Sequence, residues 1–161
     1  MADGTCSWDI TVGAAGADLT SRIYEFSGVN TGPSIDKIGE NLGGSGGGRY
    51  RQVAGTNTTP GDAAVVTSGG RELALAFVLL QGQQSIGNFT GETGGDWAEV
   101  AEYSHTTGTG CTMQLQTAEM LAPGTIDGGT MTITSAPWGV LGLALFPANP
   151  SDTPSVAWLT A

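Results

Sequence analysis

The feature that most restricts this chain is a pair of short, unbroken apolar runs. Leu73 to Leu80 (LALAFVLL) is flanked by Gly69, Gly70 and Gly82, and Trp138 to Phe146 (WGVLGLALF) is closed by Pro147 and Pro150. Runs of this length bounded by glycine and proline read as strands buried on both faces, because they are too short to be independent buried helices. The glycines at 139 and 142 within the second run signal close packing or a bulge.

The remaining apolar residues follow a short period. Ile10 and Val12, then Leu19, Ile23 and Phe26, fall in brief segments bounded by Gly and Asn, and a β-branched run covers Ala63 to Thr67. Trp97, Val100 and Tyr103 lie in Asp96 to His105, Met113 and Leu115 alternate with Gln114 and Gln116, and Met131 and Ile133 alternate with Thr132 and Thr134. Each reads as a half-buried strand, apolar side inward and polar side outward. Turn chemistry separates them at Gly28 to Pro33, Gly43 to Gly48, Pro60-Gly61-Asp62, Ser68-Gly69-Gly70, Thr107 to Gly110, Pro123-Gly124 and Asp127-Gly128-Gly129. The spacing predicts one all-β domain, a single antiparallel sandwich of about 8–10 strands. Helical propensity is confined to Leu115 to Leu121, which is short and reads as a connection or strand end. The sandwich spans 1–150 with a glycine-rich loop at 39–51, and 151–161 forms a C-terminal tail or strand.

Composition agrees. The chain has 161 residues, 27 of them Gly, with 39% hydrophobic and 12% charged residues. Disordered chains carry more charge and fewer apolar residues, and helical proteins are richer in straight-chain residues than one whose single lysine is Lys37. A formal net charge of −10 repels nucleic-acid phosphates and anionic membrane surfaces. The cations Arg22, Lys37, Arg49, Arg51 and Arg71 are too few for a phosphate-tracking groove. No stretch approaches the length of a membrane-spanning helix. The N-terminus, Met1-Ala2-Asp3-Gly4, has neither the basic nor the apolar region of a secretory signal, which predicts synthesis in a cytosol. Cys6 and Cys111 are then expected to be free thiols.

The candidates for chemistry are sparse. Gly43-Gly44-Ser45-Gly46-Gly47 matches G-x-S-x-G, but a nucleophile elbow needs a strand before the serine and a helix after it; this stretch reads as a glycine loop. His105, the one histidine, lies in Ser104-His105-Thr106-Thr107-Gly108 and reads as a solvated turn residue. The densest acidic cluster is Glu92, Asp96, Glu99 and Glu102. It lacks a D-x-D-x-D-G pattern, and Glu99 and Glu102 differ in strand parity, so it reads as an acidic sheet edge that discourages edge-to-edge pairing. Of the tryptophans Trp8, Trp97, Trp138 and Trp158, Trp97 and Trp138 are expected in the core. Trp158, beyond a Pro-rich turn, is expected either to add a strand to a partner's sheet or to dock on its own domain. No cofactor or metal site is expected, and no enzymatic activity.

Tyr24-Glu25-Phe26-Ser27-Gly28-Val29-Asn30, after a Trp-led strand, resembles the (Y/E)-x-S-G-(V/L)-(D/N) segment of β-sandwich modules of tailed-bacteriophage virion and bacterial surface proteins. Thr58 to Thr67, Leu73 to Leu80, Asp96-Trp97-Ala98-Glu99-Val100 and Trp138 to Phe146 follow in a similar order, so the resemblance extends from Trp8 to Phe146. It implies a jelly-roll-like or Ig-like sandwich, most similar in plan to a capsid decoration (cement) protein. The partners it implies are the major capsid protein and further copies of the chain, as a trimer, with the protein located on the virion surface. The alternative role is a carbohydrate- or receptor-binding module of a tail or surface protein. In either case Arg49, Tyr50 and Arg51, at the end of the glycine tract, and Trp158 are the expected partner-contact residues, since Arg, Tyr and Trp are the anchor types that interfaces favour.

Overall fold

A computed structural model describes residues 24–32, 35–36, 51–56, 58, 60, 65–90, 94–105, 110–126, 129–149, 151 and 154–158. Among these residues there is no helix. There are nine strands: β1 (Tyr24–Ser27), β2 (Arg51–Gly55), β3 (Val65–Thr67), β4 (Glu72–Gln81), β5 (Ala98–His105), β6 (Cys111–Met120), β7 (Gly124–Ile126), β8 (Trp138–Leu145) and β9 (Ser155–Trp158). All pairings are antiparallel. One sheet has the order β2-β8-β4-β6-β5, and two ribbons, β1-β9 and β3-β7, complete the architecture.

The layers follow from the alternation of side chains along β4. Its odd-numbered residues Leu73 and Leu75 join Leu115 and Leu145 on one face, where Tyr24, Phe26 and Val156 of the β1-β9 ribbon pack on them. Its even-numbered residues Ala74, Ala76, Val78 and Leu80 face the other way and join Val65 of β3, Ile126 of β7, and Ile86, Phe89, Trp97, Met131 and Ile133. β4 is thus apolar on both faces because both faces are covered, as its unbroken apolar run requires. Small residues on the second face let the opposing layer approach, and each large side chain that this layer buries contributes about 1.5–3 kcal/mol.

The chain crosses between layers in a jelly-roll-like manner. It passes from the large sheet at β2 to the ribbon at β3, returns for β4, β5 and β6, crosses again at β7 and closes at β8. None of the neighbours β2-β8, β8-β4 and β4-β6 is consecutive in sequence, as in Greek-key and jelly-roll folds. The result is the all-β antiparallel sandwich expected from the spacing of the apolar segments.

Two local readings of the sequence are corrected. Gln114 and Gln116 do not form the wet side of a half-buried strand: they are 2% and 0% exposed. β6 lies inside the sheet between β4 and β5 with both faces covered, so its polar row also points into the protein. Glu99 and Glu102 do not point to opposite faces either. The register shifts between Glu99 and Ala101, and this bulge resets the alternation. The glycines of β8 introduce no bulge, since its register with β4 runs unbroken from Leu73↔Leu145 to Leu80↔Trp138.

Candidate functional site

Two polar assemblies stand out, one at the edge of the large sheet and one across its inner face. The edge is interrupted. Ile35 bridges Leu145, and the Asp36 amide donates to the Ala144 carbonyl at 3.1 Å. The opposite side of Leu145 is occupied by β4, so Ile35 and Asp36 lie on the same edge of β8 as β2. An uninterrupted antiparallel strand from Ile35 would meet Gly142 at position 38; the chain meets it at Arg51, thirteen residues later. Two pieces of one edge strand therefore flank an insertion, and the insertion contains the glycine tract.

The root of the insertion is fixed by buried carboxyl groups. Asp36 and Glu72 are each 0% exposed. Asp36 Oδ2 accepts the Ser68 amide at 2.5 Å and Oδ1 accepts the Ser68 hydroxyl at 2.6 Å, while Glu72 Oε1 accepts the Gly69 amide at 2.5 Å. The Ser68 bonds tie the edge strand to the turn that enters β4, and the Gly69 bond closes that turn on itself. In that turn Arg71 adopts φ 58°, a left-handed conformation that costs a non-glycine residue about 1–2 kcal/mol. Burial pushes the Glu72 carboxyl up to about 8 from 4.5; the Gly69 amide lowers it, and the charge and hydrogen bond of Asp36 raise it.

The second assembly holds the segment from Gly82 to Thr90, where the backbone bonds of a regular strand are largely replaced by side chains. Thr112 Oγ1 accepts the Gln84 amide at 3.1 Å, Glu102 Oε2 accepts the Ile86 amide at 2.6 Å and Gln116 Oε1 accepts the Phe89 amide at 3.2 Å. Gln114 donates to the Ile86 carbonyl at 2.7 Å and to Glu99 at 3.2 Å, and Gln116 donates to Gln114 Oε1 at 2.6 Å. Of the acidic cluster, Glu102 thus accepts directly from this segment and Glu99 accepts from Gln114, which holds it. Only the bulge at Val100 brings both into the same lattice. Buried amides without such acceptors would each cost about 1–3 kcal/mol.

The other residues singled out from the sequence are scattered. Arg49, Tyr50, Ser45, Glu92, Trp8 and Cys6 lie outside the described residues. Arg51 opens β2 opposite Gly142, and Trp158 closes β9 opposite Tyr24; the side chains of both lie outside the described set. The 155–158 segment is a strand of its own domain, paired along its length with β1. His105 is half-buried at the end of β5, opposite the half-buried Cys111. Trp97 and Trp138 are 4% and 9% exposed, core residues as expected, with Trp97 5.7 Å from Phe89 in a tilted ring contact. An open groove of about 570 Å³ runs between Gly94–Asp96 and Glu119–Thr125; its lining includes two carboxylates and neither histidine nor serine. Among the described residues, no three His, Cys, Asp or Glu side chains gather as metal ligands would.

The fold and these assemblies define an all-β sandwich with an interrupted sheet edge and a side-chain-laced inner layer. No family model, curated protein or solved structure matches the chain.

Proposed function

We propose that this chain is a non-enzymatic virion structural protein, a capsid decoration protein that stabilises a phage head by binding coat-protein subunits and further copies of itself. The observation that carries this reading is the interrupted edge: a buried hydrogen-bonded root at Asp36 and an in-register return at Arg51 opposite Gly142. The sequence between these two fixed points is glycine-rich and ends in Arg49, Tyr50 and Arg51, residue types that protein interfaces favour. A partner that exists only as an assembled lattice is stabilised by such contacts through mass action. The net charge of −10 argues for a protein partner over nucleic acid.

The alternative, a carbohydrate-binding module, receives no support from Trp97 and Trp138, whose rings are buried and so offer no stacking platform.

Co-sedimentation with assembled phage heads and with soluble coat subunits tests the proposal. The wild-type protein is expected to pellet with heads and to leave soluble subunits unbound. A variant lacking residues 38–50, which joins position 37 to Arg51 in register with β8, is expected to fold and to lose binding. Equal indifference of the wild-type protein to both partners would overturn the reading.

A further inference from the structure

The buried carboxyls at the insertion root have a chemistry of their own. Ser68 donates both its amide and its hydroxyl to Asp36, and Gly69 donates its amide to Glu72. Glu72 Oε2 is buried with no donor, and the amides of the consecutive residues Ser68 and Gly69, which donate to Asp36 and to Glu72, set the two carboxyls side by side. Two ionised carboxylates offer each other only acceptors, and two like charges that are both buried repel strongly. A single proton between them supplies the missing donor and removes one of the charges.

We propose that the Glu72 carboxyl keeps its proton and turns it toward Asp36, forming a latch that holds the root of the insertion to the turn before β4 and that opens when alkali removes that proton. Opening breaks one O–H bond: the proton passes to hydroxide, water forms, and two carboxylates remain facing each other. The repulsion then acts between the edge strand, which carries Asp36, and β4, which carries Glu72. The two bonds from Ser68 to Asp36 span the same gap.

β6 places Met120 opposite Glu72, β8 contributes Ala144, whose carbonyl accepts the Asp36 amide, and Phe146, just after β8, lies beside Gly69. From the turn, Ser68 and Gly69 donate to the pair, and the Arg71 side chain is exposed. Glu119, next to Met120, points to the other face of the sheet and is exposed. Among the described residues Asp36 is the ionisable group that acts on Glu72. The upward displacement of the Glu72 carboxyl to about 8 has the direction that a buried, retained proton requires.

Carbon-13 NMR of protein labelled at glutamate side chains, combined with amide hydrogen exchange, tests the latch. One glutamate carboxyl carbon is expected to titrate with a midpoint near 8 and to be missing from spectra of Glu72→Gln. After correction for intrinsic exchange, protection of the Asp36 amide is expected to fall about tenfold or more between about pH 6 and pH 9 in the wild-type protein. Protection of the Val78 amide, in the middle of β4, is expected to hold. In Glu72→Gln, which keeps a donor beside Asp36 without a removable proton, Asp36 protection is expected to stay level. If every glutamate carbon of the wild-type protein titrates in the ordinary acid range, or if Glu72→Gln loses Asp36 protection with the same pH profile, the latch is excluded. Should Glu72→Gln fail to fold, the wild-type titration decides alone.

Discussion

Gln116 donates its side-chain amide to the carbonyl oxygen of Gln114 across 2.6 Å, and both side chains are buried on the same face of β6. Gln116 in turn accepts the Phe89 amide, and Gln114 donates to the Ile86 carbonyl. Adjacent same-face positions on a strand have become a short polar ladder that takes over the backbone bonds of a neighbouring segment. A buried network of this kind is stabilising only when every member is satisfied.

Replacing Gln116 with Leu keeps the volume and removes the acceptor of the Phe89 amide. The variant is expected to lose about 2–3 kcal/mol in urea unfolding, the cost of stranding a buried donor together with the loss of the Gln114 contact. Hydrogen exchange at Phe89 is expected to rise more than at Leu115 on β6 itself. Equal acceleration at both amides would mean that the ladder does not anchor the segment.

Leu115 is 0% exposed at the centre of the outer core face. Leu115→Ala removes a side chain that Leu73, Leu75 and Leu145 surround as a cluster, and the expected loss is about 2–5 kcal/mol by chemical denaturation. A loss below about 1 kcal/mol would show that the β1-β9 ribbon does not seal this face.

At Gly55 the large sheet has no room for a side chain, because an added Cβ would lie 2.7 Å from Cζ2 of Trp138, its register partner. Gly55→Ala is expected to destabilise by about 1–3 kcal/mol, as overpacking does. The indole emission is expected to shift to the red as Trp138, now 9% exposed, is displaced toward water. An unchanged spectrum with unchanged stability would place the ring elsewhere.

Stability should also fall with rising pH. The Glu72 carboxyl sits at about 8 in the folded protein against an ordinary 4.5, so between those values the folded protein retains a proton that the unfolded chain releases. Its contribution is complete below about 4.5 and is lost as pH rises toward 8, at up to about 1.4 kcal/mol per unit. Urea midpoints measured across that range are expected to decline in the wild-type protein and to decline less in Glu72→Gln. Parallel declines would assign the slope to general repulsion in a chain of net charge −10.

Much of the fold was legible in residue patterns. LALAFVLL became β4 and WGVLGLALF became β8, because an apolar run of that length tolerates only a doubly covered strand. Leu115 to Leu121 extended β6 as far as Met120, since alternation with tertiary cover outweighs modest helix propensity. The glutamines of β6 could not be read correctly, because alternation reports which residues share a face and not whether that face is wet. Glu99 and Glu102 were misassigned for a related reason: one extra residue in a strand inverts every later position, and a bulge at Val100 leaves no composition signal. The candidate site was less legible still, since Asp36, Ser68 and Glu72 are brought together only by the pairing of the edge with β8.

The sequence by itself determined that this chain is an antiparallel sandwich, because period-two burial and glycine turns are local properties that each segment carries wherever it is placed. Only the tertiary structure decided that Ile35 and Arg51 share one edge of β8 around an insertion, and that two carboxyls 36 positions apart, Asp36 and Glu72, meet in its root. Strand order and register depend on which segments find each other across the whole chain, and no local pattern encodes that choice.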